Sequence, residues 1–133
     1  MTVLVADDDR TTRFILRQIL RRDFGATIVE AEDGVQAIAA LGEREFDLVL
    51  LDLHMPRLDG LGVLKATRGI PRLAGLPVVI LSADRDEANV RQALELGVLG
   101  YLTKPFHADQ LSQRLEKLTA AATHTKDIAQ AAG

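Results

Sequence analysis

An alternation repeated along the whole chain limits the possible folds most: a short, nearly unbroken apolar run, then a stretch with helical period, five times over. The first run, Thr2-Val3-Leu4-Val5-Ala6, is rich in β-branched residues and is ended abruptly by Asp7-Asp8-Asp9. It has no polar side to turn to water, so it reads as a strand buried on both faces. From residue 10 to 24 the pairs Ile15/Ile19 and Leu16/Leu20 recur at four-residue spacing with arginines and Gln18 between them, the pattern of an amphipathic helix. Asp8 or Asp9 is placed to cap it.

The alternation then predicts a second strand over 27–30, and a helix marked by Val35, Ile38 and Ala39 that ends near Glu43. A third strand is expected over 46–51. The turn-rich segment 54–60 follows, with Gly60 expected to supply a positive φ at the start of a helix over 61–68. A fourth strand is expected over 77–82, and Val90, Ala93 and Leu94 mark the next helix. A short strand near 100–102 leads through Lys104-Pro105 into a last helix, with Leu111, Leu115 and Leu118 at i, i+4 and i+7. After Ala120 the apolar period is lost, so 1–119 reads as one domain and 120–133 as a helical extension or linker tail. Strands of this kind, alternating with helices, form an α/β fold with a parallel sheet covered on both faces. Ligands of such open sheets bind outside the carboxyl ends of the strands.

The remaining composition narrows the function by exclusion. A length of 133 residues suits a single domain. A net charge of -3 leaves no positive excess to neutralise nucleic-acid phosphates, so a protein partner is the expectation. The chain has no cysteine, which removes disulfides and thiol chemistry and suits a reducing compartment. Its apolar runs are too short for a membrane span and the early aspartates are wrong for a signal peptide. A cytoplasmic location is expected.

Asp7 and Asp8 follow strand one, Asp52 ends strand three, Ser82 ends strand four and Lys104 follows strand five. In a parallel sheet all of them fall on one edge, which gathers three carboxylates, a hydroxyl and an ammonium group. Carboxylates so close repel, and a hard divalent cation with oxygen ligands is the natural compensation; magnesium fits best. With an ordinary pKa of about 4, Asp52 is already an ionised oxygen nucleophile at neutral pH and needs no general base. Phosphoryl transfer asks mainly for alignment and for neutralisation of the equatorial oxygens, which a cation, Lys104 and Ser82 supply together. Singly, each residue has a plainer reading: a solvated helix start, a strand-end hydroxyl, a surface lysine. The set carries the information.

Leu4 to Asp9, Asp52-Leu53-His54-Met55-Pro56-Arg57-Leu58-Asp59-Gly60, Ser82-Ala83 and Tyr101-Leu102-Thr103-Lys104-Pro105-Phe106 occur in an order and at separations that resemble a response-regulator receiver domain of the chemotaxis-regulator (CheY-like) type, over about residues 2–118. The resemblance implies a doubly wound, flavodoxin-like (βα)5 fold with strand order 2-1-3-4-5. It implies a two-component switch and not an enzyme acting on other molecules. Asp52 would be the phosphoacceptor, with magnesium (manganese as a substitute) held by Asp7, Asp8, Asp52 and the backbone carbonyl of His54. Ser82 and Lys104 would contact phosphoryl oxygens, Lys104-Pro105 would be a cis peptide, and Ser82 and Tyr101 would move together in the switch. His54 and Asp84 are assigned to the lifetime of the phosphoryl group, although for His54 a loop histidine with no role is an equal reading. The donor would be a sensor histidine kinase or a histidine phosphotransfer protein, and the output surface the fourth helix, fifth strand and fifth helix. That surface is also open to homodimerisation, and the target is a downstream protein or an output domain of a longer regulator.

Three rivals fit less well. A haloacid-dehalogenase-like phosphatase needs a second carboxylate two residues after its nucleophile, where this chain has His54. A nucleotide- or flavin-binding module is poorly matched by Gly60-Leu61-Gly62, which lacks a third glycine and follows a long turn. A receiver fold used purely as an interaction module has no need for the intact acidic set.

Overall fold

The computed structural model describes residues 1–83 and 86–132, with side chains described to residue 120. Along the chain run β1 (Thr2–Ala6), α1 (Arg10–Phe24), β2 (Thr27–Ala31), α2 (Gly34–Glu43), β3 (Leu48–Asp52), α3 (Gly60–Arg68), β4 (Val78–Ala83), α4 (Glu87–Glu95), β5 (Gly100–Lys104) and α5 (Ala108–Ala132). Among the described residues the five strands form one parallel sheet in the order β2-β1-β3-β4-β5. This is the expected doubly wound α/β architecture.

Period-2 alternation sorts the strand residues into two cores. Leu4, Val49, Leu51 and Ile80 face a cluster with Ala37 and Leu41 of α2 and Leu64 of α3. Val3, Val5, Leu50 and Leu81 face Leu16 and Leu20 of α1 and Leu111 and Leu115 of α5. Every residue of β3 is buried, which is why its sequence shows no polar alternation. Each fully buried leucine contributes roughly 1.5–3 kcal/mol.

Three sequence expectations need correction. In α2, Val35 and Ala39 are exposed, and the packed stripe is Gly34, Ala37 and Leu41 with Ile38 beside it. In α4, Leu94 is exposed, and among its described residues this helix buries Ala93 alone. Gly60 has no positive φ; the left-handed residue of that turn is Arg57, at φ 70°. Glycine at 60 is required by closeness instead, because a Cβ there would lie 2.0 Å from the backbone oxygen of Asp52. The start of α3 therefore rests directly on the end of β3, and Gly60 N–H donates to the Leu53 carbonyl at 3.1 Å.

At the opposite edge Arg68 ties several segments together. Its guanidinium donates to the carbonyls of Leu73 (3.4 Å), Leu76 (3.1 Å), Leu96 (3.2 Å) and Gly97 (2.6 Å). The last two lie just past α4, so the tail of that helix is fixed to the end of α3.

Candidate functional site

The carboxyl edge of β1 and β3 is acidic because Asp7 and Asp8 directly follow β1 and Asp52 ends β3. Asp7 and Asp52 are buried and Asp8 is exposed; one carboxylate oxygen from each lies within 4.8 Å of the others. At such separations two like charges repel by about 3–4 kcal/mol even at an effective dielectric constant near 20. Lys104, at the end of β5, offsets part of this, with Nζ 2.7 Å from Asp7 Oδ2 and 3.3 Å from Asp52 Oδ2.

Titration behaviour follows from the same geometry. Burial, and then the charge of Asp7, push the Asp52 carboxyl up to about 6, while the His54 N–H at 3.1 Å and Lys104 hold it back. Burial disfavours the Lys104 ammonium, but Asp7 and Asp52 outweigh it and raise its pKa above the ordinary value.

A hard divalent cation fits these residues. Three carboxylates converge from two loops, and Asp7 Oδ2 is a fully buried oxygen with no aligned hydrogen bond despite its ion pair to Lys104. An all-oxygen donor set whose negative charge is only partly offset by Lys104 suits magnesium, which prefers a few carboxylates and its own waters.

Ser82 is buried one position beyond Leu81, the register partner of Asp52. The Lys104–Pro105 peptide is cis. Tyr101 is 42% exposed on β5 and lines a cavity of about 360 Å³ with Phe106, His107, Gln110 and Arg114. Asp84 lies outside the described residues. His54 is no isolated loop histidine: its backbone N–H bonds the phosphoacceptor candidate, and its ring Nε2 is hydrogen-bonded to Asp86 Oδ1.

Two residues at the site escaped the sequence reading. Arg13 is 7% exposed and donates to the Asp7 carbonyl at 2.8 Å, with Glu30 at 3.3 Å and Glu32 at 3.8 Å as ion-pair partners. A signal for it existed, since position 13 falls on the same stripe as Leu16 and Leu20. Asp86 is 3% exposed, and its Oδ2 accepts from the Ala83 N–H at 2.6 Å. Asp86 reads in sequence only as a helix-start aspartate.

Comparison with known proteins agrees with this geometry. The response regulator receiver domain family matches residues 3–116. Chemotaxis protein CheY of Pseudomonas aeruginosa is 38% identical over 119 residues, covering 89% of this chain and 95% of that protein. Chemotaxis response regulator CheY4 of Vibrio cholerae is similar in structure, with a TM-score of 0.80 at 27% identity, over 88% of this chain and 97% of that one. NtrX of Brucella abortus gives a TM-score of 0.87 at 30% identity, over 97% of this chain but 29% of the longer one. Among the described residues no helix is long and apolar enough to cross a membrane. The matched span, the sheet order and the acidic edge lead to one conclusion: the chain belongs to the response-regulator receiver family, the signalling switches of two-component systems.

Proposed function

We propose that Asp52 is the phosphoacceptor and that residues 1–119 form the receiver unit, with 120–133 an extension or linker. The observation that carries this reading is the convergence of Asp7, Asp8 and Asp52 with Lys104 on one strand edge. A carboxylate oxygen of Asp52 attacks the phosphorus of a phosphohistidine, the P–N bond breaks, and the imidazole nitrogen leaves with the bonding electrons. Lys104 and Ser82 hold the phosphoryl oxygens, and the His54 N–H orients the attacking carboxylate. Asp7, Asp8, Asp52 and the His54 carbonyl would hold magnesium, or manganese in its place, which neutralises charge on the transferring group.

The donor in this reading is a sensor histidine kinase or a histidine phosphotransfer protein in the cytoplasm. Ser82 and Tyr101 relay the change to the surface formed by α4, β5 and α5, which addresses a downstream protein or a second copy. His54 and Asp84 set the lifetime of the acyl phosphate. A second reading, in which the chain is the receiver part of a longer regulator, is favoured by the match to 29% of NtrX.

The test is incubation with acetyl phosphate and magnesium, followed by intact-mass measurement. One added phosphoryl group is expected, absent with EDTA and absent in Asp52→Asn. Unchanged mass of the wild-type chain with every donor offered would overturn the assignment.

A further inference from the structure

Three of the helices are capped by aspartates in the usual way. Asp9 accepts from the Thr11 N–H at 3.0 Å, Asp33 from Gln36 at 2.7 Å and Asp59 from Gly62 at 2.8 Å. Asp86 stands at the equivalent position of α4, yet among the described residues its side chain makes no capping hydrogen bond. Its carboxylate is turned back towards the strand edge and buried there.

Both oxygens are used at that edge. Oδ1 meets the His54 ring, which belongs to the loop after Asp52, and Oδ2 takes the N–H of Ala83, the residue after Ser82. One side chain at the head of α4 thus clamps the two loops that flank the phosphoacceptor. A second negative group arriving on Asp52 would repel this carboxylate and compete with it for the Ala83 N–H. Apolar anchoring at this end of α4 is partial: Val90 is half-buried against the core, and the fully buried Ala93 lies nearer the far end.

We propose that Asp86 is a resting-state latch, a positioning residue whose carboxylate, shared between His54 and the Ala83 N–H, holds the head of α4 in the unphosphorylated arrangement and is displaced on phosphorylation. The inference rests on Asp52 being the phosphoacceptor. It places the coupling to α4 in a contact separate from Ser82 and Tyr101.

The test combines an NMR readout with phosphorylation kinetics. In wild type, beryllofluoride with magnesium serves as the phosphoryl mimic. The Ala83 amide and the His54 ring nitrogens are expected to shift strongly, with no shift in Asp52→Asn. In Asp86→Ala and Asp86→Asn, without any mimic, the amides of Ala83 and the first turn of α4 are expected to lie part-way towards their positions in mimic-bound wild type. Acetyl phosphate should modify both variants roughly fivefold faster, since the resting arrangement no longer competes. Wild-type rates with unmoved α4 resonances would overturn the latch while leaving Asp52 as the acceptor. Should Asp86→Ala not fold, Asp86→Asn and the wild-type His54 shift decide: a His54 ring unmoved by the mimic also overturns the latch. A wild-type chain that binds no mimic and gains no phosphoryl group would instead sink the phosphoacceptor assignment.

Discussion

A carboxylate that is buried and faces another carboxylate works against its own fold. Asp52 has a folded pKa of about 6, above its ordinary value, so the folded chain holds this proton more tightly than the unfolded one. The contribution to stability is therefore full below about pH 4 and is lost as pH rises through about 6, on the order of 3 kcal/mol. Urea midpoints of the metal-free protein should fall across that window, and Asp52→Asn should remove this component. Magnesium should restore the wild-type midpoint at pH 7.5 and do much less for the variant. Asp7, Asp8, Asp52, Ser82 and Lys104 were legible in sequence because each ends or follows an apolar run, and parallel strands bring such positions to one edge. The role of Asp86 was not, because it depends on which loops meet. Arg13 looked like one more arginine on an arginine-rich helix until its position on the buried stripe was seen to place it under the Asp7 carbonyl.

At the scale of elements, the contact between α3 and β3 sets the position of Asp52. Gly60→Ala would force a Cβ to within 2.0 Å of the Asp52 carbonyl, so helix and strand end must separate. A loss of about 2–4 kcal/mol is expected in chemical denaturation, together with slower modification by acetyl phosphate. If stability and rate are both unchanged, the helix start is more adaptable than the geometry implies. The strands were readable because burial on both faces leaves continuous apolar runs. The packed faces of α2 and α4 were less so, because large apolar residues attracted the reading. Val35 and Leu94 are exposed, while small Gly34, Ala37 and Ala93 make the close contacts.

Over the whole molecule, two apolar layers enclose one sheet, and the alternation of elements pointed to that arrangement. The order of strands was supplied by family resemblance, because apolar runs state which segments are strands and leave open which ones are neighbours. Long-range polar ties were equally hidden. Arg68 reaches four carbonyls in two loops distant in sequence, and Arg68→Ala should cost about 2–4 kcal/mol by leaving several of them without a partner. Hydrogen exchange of this variant should speed up around residues 96–97 before it does so in β3.

The same guanidinium gives α4 a fulcrum. A nine-residue helix is about 13 Å long, and with its tail moored at Leu96 and Gly97 any swing is smallest there and grows towards Glu87. A protein that senses the state of this chain through α4 gains most from touching the first turn, Glu87 to Val90, and almost nothing from gripping Glu95.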